Sequence, residues 1–272
     1  MLFIYKIELM KDLLLLAIEA SLKAGKEIIN VYNSDDFDIK IKSDNSPLTI
    51  ADQKAHEIIV EILEKSNLPI LSEEGKNIPF EERAQWNKYW LVDPLDGTKE
   101  FINKNGEFTV NIALIESGTP VLGVIYIPVT KDLYFGDKEN GSYKTVNADK
   151  DFDIKMLTQF GFKLPFFQEN EIYTVVGSKS HMNEETEAFI SQLSNEHGEI
   201  DFISKGSSLK ICMVAEGIAD IYPRFGPTME WDTAAGHAIA LYSGCSVTQK
   251  DEKTPLCYNK KELLNPWFIV RR

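Results

Sequence analysis

An α/β fold is what this 272-residue sequence predicts, and three features of its patterning predict it. From Ile172 onward, apolar strand-like runs alternate with segments of helical period, the mark of sheet layers covered by helices. Between Gly106 and Lys144, short β-rich runs are separated by Gly, Pro and Asn-Gly turns, a β-meander. Ahead of both lie two stretches whose apolar residues recur at helical spacing. No repeat, low-complexity tract or Pro/Gly/Ser linker interrupts the chain.

The first of these stretches places Leu14, Ala17, Ile18, Ser21, Leu22, Gly25, Ile28 and Ile29 on one helical face. Its unbroken apolar run, Leu13–Ile18, is shorter than a signal peptide's core, and Glu8, Lys11 and Asp12 interrupt the approach. Nothing reaches the roughly 18 apolar residues of a membrane span. We therefore expect an amphipathic helix packed on the body, with no integral membrane segment, although its apolar start leaves peripheral contact with a membrane open. Met10 offers an alternative start. "FDIKIKSDNSPLTIAD" then reads as a short strand and a turn-rich loop. The second helix carries Ala55, Ile58, Ile59, Ile62 and Leu63 on one face, and Thr49 with Asp52 forms a capping box at its start.

"LPILSEEG" and "YWLVDPLDGT" read as buried strands that end in acids, and the meander follows. Residues 150–170 are irregular and link two halves. Beyond them come strand "IYTVVG", helix Asn183–Ser194, strand "IDFISK", helix Ser208–Gly217, strand "ADIYPR", helix Asp232–Ser243 and a last strand "PWFIVRR".

With Lys+Arg at 29 and Asp+Glu at 42, the net charge of −13 excludes a nucleic-acid-binding footprint. A small anionic ligand remains open to such a protein if metal ions or a few placed basic residues overcome the field locally. The three cysteines, Cys212, Cys245 and Cys257, lack Cys-x-x-Cys spacing, which speaks against disulfides or zinc and for reduced thiols in a cytoplasmic protein.

Three acidic clusters fall at strand ends or a helix start: Glu73-Glu74, Asp93-Pro94-Leu95-Asp96, and Asp232. Such positions share a crevice in open α/β sheets. Convergent carboxylates from separate segments are what hard cations at a phosphate site require. Singly, each acid has a plainer role: Glu74 a solvated charge, Asp232 a helix-dipole acid, Asp96-Gly97 turn chemistry. As a set they point to metal and phosphate. Gly97 and Thr98 add a tight turn whose backbone N–H groups face an anion and a hydroxyl beside the attacking water. A covalent aspartyl phosphatase of Asp-x-Asp-Gly-Thr type is excluded, because Pro94 stands where its nucleophile belongs.

"SPLTIAD", "SEE", "DPLDGTKEF" and "WDTAAGHAI", in this order, resemble the inositol monophosphatase superfamily of lithium-sensitive, Mg²⁺-dependent phosphatases. "DGTKEFINKNGEFTVNIALIESGTPVLGVIY", "VVGSKSHMNEET" and "GSSLKICMVAEGIADIYPRFGPTMEWDTAAGHAIA" resemble its 3′(2′),5′-bisphosphate nucleotidase branch of the bacterial CysQ type. The resemblance implies a layered αβαβα sandwich with the site between an N-terminal half (1–150), carrying most metal ligands, and a C-terminal half (151–272). It implies two or three Mg²⁺ ions. Glu73, Asp93 and the Leu95 carbonyl match one ion's ligands, and Asp93, Asp96 and Asp232 those of a second. Gly97 and Thr98 match the phosphate turn. Asp52 with Thr98, and Glu73 close by, match the groups that activate the attacking water.

On the nucleoside side, the resemblance implies Ser178, His181, Gly206, Ser207, Lys210 and Arg224. Lys99-Glu100 replaces the Thr-Asn that follows Asp-Gly-Thr in inositol phosphatases, and Lys179 stands where relatives often carry arginine. Lys210 as a solvated lysine, His181 as a surface residue and Arg224 as an ion-pair partner are the plainer alternatives. Lys42 precedes the loop "SDNSP", which reads either as a lid or as simple surface. The expected substrate is 3′-phosphoadenosine 5′-phosphate, cleaved to AMP by direct in-line attack of water, with 3′-phosphoadenosine 5′-phosphosulfate as a second. The alternatives are an inositol monophosphatase or fructose 1,6-bisphosphatase of the same superfamily, or a non-catalytic nucleotide sensor. The expected partner is this small molecule alone, handled by a monomer or homodimer in the cytoplasm, including peripherally at the inner membrane's cytoplasmic face.

Overall fold

The computed structural model describes residues 2–34, 40–41, 47–148, 161–166, 170–178 and 182–272. Helix α1, Leu2–Tyr32, runs through Met10 and buries the predicted stripe from Leu14 to Ile28. Strands β1, Lys40–Ile41, and β2, Pro47–Leu48, form a small antiparallel pair that delivers the chain to α2, Ile50–Leu63. The loop "SDNSP", with Lys42, lies largely outside the described residues.

The first sheet has seven strands in sequential order. They are β3 (Ile70–Ser72), β4 (Lys88–Asp96), β5 (Thr109–Glu116), β6 (Thr119–Ile127), β7 (Asp132–Asp137), β8 (Gly141–Thr145) and β9 (Phe162–Lys163). Pairing is antiparallel except for β3 beside β4. The meander is as the turn residues predict. Strand β9 is new: it lies in the stretch expected to be irregular, and two residues are too few to show a period. Short helices α3, Phe80–Arg83, and α4, Thr98–Ile102, were likewise invisible to a periodicity argument.

The second sheet has the order β11-β10-β12-β14-β13. It comprises β10 (Tyr173–Gly177), β11 (Ile200–Ser204), β12 (Ile221–Arg224), β13 (Ser246–Gln249) and β14 (Phe268–Arg271). Helices α5 (Glu184–His197), α6 (Leu209–Glu216) and α7 (Glu230–Tyr242) alternate with the strands. Strand β13 was not predicted, since three of the four residues of Ser246–Gln249 are polar and it sits at an edge.

Period-two alternation on the central strands sorts residues into separate cores. Ile112 and Leu114 face α1 and α2, while Ala113 and Ile115 face α7 on the opposite side. Both faces are covered, which is why β5 reads as a continuous apolar run. Val175 and Ile221 in turn pack against α5 on the far side. The layers are therefore α1/α2, first sheet, α6/α7, second sheet, α5, the αβαβα sandwich expected.

The small residues of α7 allow it to lie directly on β6. A Cβ on Gly123 would stand 2.2 Å from the Ala235 carbonyl oxygen and 2.8 Å from Ala238 Cβ. Gly123→Ala therefore pushes α7 off the sheet. We expect a loss of about 1–3 kcal/mol, read as a melting temperature lower by about 2–4 °C per kcal/mol at this size.

Candidate active site

Strand β4 ends in a bulge. Asp93 pairs with Asn111 and Asp96 with Thr109, so Pro94 and Leu95 together oppose Val110 alone. A bulge suits proline, which has no N–H for the ladder. The kink turns Asp93, the Leu95 carbonyl and Asp96 toward one crevice. Leu95 N donates to Asp93 Oδ1 (3.0 Å), and the Thr98 hydroxyl reaches the Leu95 carbonyl at 3.4 Å. Gly97 then turns the chain at φ 96°, a conformation open to glycine without strain.

Asp52 serves two roles with its two oxygens. Oδ2 closes the capping box, accepting from Thr49 N (2.8 Å) and the Thr49 hydroxyl (2.5 Å). Oδ1 accepts from the Thr98 hydroxyl at 3.3 Å. The cap that starts α2 thus also aims the carboxylate at Thr98.

Carboxylate oxygens of Glu73, Asp93 and Asp232 all lie within 4.8 Å of one another. Asp232 opens α7 and accepts from Met229 N at 2.8 Å. The helix starts two residues earlier than predicted, at Glu230, whose carboxylate is fully buried and accepts from the N–H groups of Asn259 and Lys260. Burial, then the charges of Glu73, Asp96, Asp232 and Asp52, push the Asp93 carboxyl well above its usual range. Burial and then Asp96 do the same to Asp232. Anions forced this close need a cation between them, and an all-oxygen donor set suits a hard one. The residues present fit the divalent ions that the family resemblance implies.

Asp96 is held differently. Its Oδ2 accepts from the Ser207 hydroxyl (2.6 Å), Ser208 N (2.7 Å) and the Ser208 hydroxyl (2.6 Å), and Asn111 Nδ2 approaches at 3.3 Å. It therefore caps α6 across the two halves.

Beside these acids opens a cleft of about 610 Å³, solvent at its mouth included. Asp96, Gly97, Ser178, Gly206, Ser207, Lys210, Arg224 and Asp232 all line it. Lys210 is only 6% exposed, which rules out the solvated-lysine alternative. Two of its three N–H groups go to the Ser207 carbonyl (2.6 Å) and the Lys205 carbonyl (3.2 Å). Arg224 donates to the Pro227 carbonyl at 3.0 Å. Lys179 and His181 lie outside the described residues.

Sequence reasoning missed Tyr222, Ser208 and Thr228, which also line the cleft. Tyr222 had a signal in its two-residue spacing from Arg224 on β12, which puts both on one face. Ser208 had one as a helix-start serine. Thr228 had none.

Comparison with known proteins agrees with this architecture. The inositol monophosphatase family model matches residues 9–267, and the chain belongs to that family. It is 45% identical over 251 residues to the 3′(2′),5′-bisphosphate nucleotidase CysQ of Salmonella typhimurium, covering 91% of this chain and 94% of that protein. The CysQ nucleotidase of Escherichia coli K12 is 44% identical over the same shares. Among solved structures, CysQ from Bacteroides thetaiotaomicron superposes with a TM-score of 0.87 at 51% identity, covering 94% of this chain and 95% of that one.

Proposed function

We propose that this chain is a Mg²⁺-dependent 3′(2′),5′-bisphosphate nucleotidase, removing the 3′-phosphate of 3′-phosphoadenosine 5′-phosphate to give AMP and phosphate. 3′-Phosphoadenosine 5′-phosphosulfate is a second substrate on this reading. The observation that carries it is one cleft lined both by the acids Asp96 and Asp232 and by the basic groups Lys210 and Arg224. One substrate phosphate meets the acids with their cations, and the second meets fixed basic groups.

Glu73, Asp93 and the Leu95 carbonyl would hold one ion, and Asp93, Asp96 and Asp232 a second. Such ions supply Lewis-acid stabilisation of the phosphoryl group and a more acidic water. The chain supplies the rest. With its own proton on Asp52, the Thr98 oxygen accepts from the attacking water and hands the proton on to the carboxylate. The turn at Gly97 orients the phosphate through backbone N–H groups. Water oxygen joins phosphorus as the bond to the 3′-oxygen breaks, in line and with no phosphoenzyme. The N-terminal half, 1–150, contributes most metal ligands on this reading, and 151–272 the nucleoside side. We place the protein in the cytoplasm with its cysteines unpaired, as they are here.

The test is phosphate release from 3′-phosphoadenosine 5′-phosphate and from inositol 1-phosphate, each with and without Mg²⁺. Preference for the nucleotide in Mg²⁺ supports the proposal; preference for the inositol phosphate overturns the substrate, and no release from either overturns the enzyme reading. Lys210→Met should raise KM for the bisphosphate about 10- to 100-fold, as expected for a lost hydrogen bond to a charged group. KM for 3′-AMP, which lacks the second phosphate, should barely move. Burial, reinforced by Arg224, brings the Lys210 pKa down to about 8. The ammonium is charged below that pH and neutral above it, so KM for the bisphosphate should climb as pH passes 8, and the rise should vanish in Lys210→Met.

A further inference from the structure

Four side chains on or just before strands of the first sheet, Asp96, Glu107, Thr109 and Asn111, grip one short segment that belongs with the second sheet. The segment, Lys205–Ser208, joins β11 to α6. Asp96 holds its Ser207 and Ser208 end, and the Thr109 and Ser207 hydroxyls lie 2.8 Å apart. Glu107 holds the other end. It sits just before β5, where the Asn105 side chain accepts from its N–H at 2.9 Å. Its Oε2 accepts from Gly206 N at 2.8 Å and its Oε1 from Lys205 Nζ at 3.0 Å. Of the two contacts Glu107 makes with the segment, the Gly206 N–H is the one that fixes backbone, because the Lys205 ammonium is partly exposed and screened.

The backbone here needs holding. Ser207 has φ 49°, a left-handed conformation that a non-glycine residue keeps only when its surroundings impose it. That conformation also presents the carbonyls of Lys205 and Ser207 to Lys210 Nζ, at 3.2 and 2.6 Å. The Lys210 ammonium is aimed by those two carbonyls, and the carbonyls by the grip on their segment. We propose that Glu107 is a positioning residue for substrate discrimination: by seating Lys205–Ser208 it aims Lys210 at the substrate's second phosphate, without itself touching substrate. The assignment rests on the nucleotidase reading given above.

The test compares wild type, Glu107→Ala and Glu107→Gln on 3′-phosphoadenosine 5′-phosphate and on 3′-AMP. Glu107→Ala should raise KM for the bisphosphate about tenfold, the worth of one hydrogen bond to a charged acceptor. Its kcat, and both constants for 3′-AMP, should stay within about threefold on the same scale. Glu107→Gln keeps an acceptor for Gly206 N and should recover most of the loss. Equal rises for both substrates, or no rise for either, overturn the proposal. A wild type that does not prefer the bisphosphate overturns the nucleotidase reading instead. In that event, amide hydrogen exchange over residues 204–211 still decides the seating. Faster exchange there in Glu107→Ala, with the rest of the chain unchanged, upholds it; equal protection sinks it. Should Glu107→Ala fail to fold, Glu107→Met, which keeps the length of the side chain but offers Gly206 N no acceptor oxygen, replaces it in both measurements, with the same outcomes on either side.

Discussion

Asp93→Asn should remove nearly all activity, and the same substitution should make the metal-free protein more stable. Losing an outer partner of a metal ligand typically costs about 10–100-fold, so with Asp93 as the shared ligand proposed above, its loss should cost about 10³-fold or more in phosphate release. The stability gain follows from crowding. Asp93 is buried, and the charges of Glu73, Asp96, Asp232 and Asp52 hold its carboxyl above the ordinary 3.8. A raised acid pKa in the folded state means that the native form binds the proton more tightly than the unfolded one. Its stabilising contribution is then full below pH 3.8 and is lost as pH rises through the folded value.

In EDTA, wild type should therefore weaken from about pH 4 towards neutrality more than Asp93→Asn does. At pH 8 the variant should melt about 2–6 °C higher, on a scale of about 2–4 °C per kcal/mol. Mg²⁺ should reverse the order, because the wild type gains more by binding it. Thermal melts of both proteins at pH 5 and 8, with EDTA or Mg²⁺, check this. A wild type that outlasts the variant in EDTA at pH 8 would falsify the account of Asp93 as an uncompensated charge.

Thr98→Ala should lower kcat about 10²- to 10⁴-fold, the usual worth of a positioned proton-transfer group, with little change in KM. The reason lies in the use of Asp52. One of its oxygens is committed to the α2 cap, and the other meets the Thr98 hydroxyl, through which, on the proposed mechanism, it acts on the water. Thr98→Ser keeps that hydroxyl and should retain most of the rate. Asp52→Asn should match Thr98→Ala in kcat and should also lose α2 stability, about 0.5–2 kcal/mol for a lost cap. Steady-state kinetics beside urea unfolding separates the two effects. Equal activity of Thr98→Ala and wild type would remove Asp52 from the proton path.

Much of this site is local in the chain, and that is why it is legible. Asp93, Leu95, Asp96, Gly97 and Thr98 sit within one strand end and its turn, where residue type alone signals both the break in the ladder and the chemistry. Asp52 announces itself through its capping box, and that signal misleads only if the cap is taken to exhaust the carboxylate. Asp232 falls at a helix start, where an acid is expected on two grounds at once. Helices and strands with long apolar periods, α1, α2, β5 and β6, were legible for the same reason: burial of one or both faces writes itself into spacing.

Other features depend on who meets whom. Nothing near Asp96 in the chain tells that its Oδ2 caps a helix more than a hundred residues away, because that bond joins separate sheets. Glu107 reads as one more acid in a turn until Gly206 N is found against it. Lys210 looks solvated in a list of residues and is buried in the fold.

The sequence by itself determined the alternation of helices and strands, the acids at strand ends and a helix start, and the tight turn at Gly97, since periodicity and residue chemistry act over a few neighbours. The layer order came with the family resemblance. Only the tertiary structure decided how the two sheets are pinned together and which side chains share the cleft with Lys210 and Arg224. Hydrogen bonds form between atoms brought within about 3 Å, and for distant segments it is the packed sheets that bring them there.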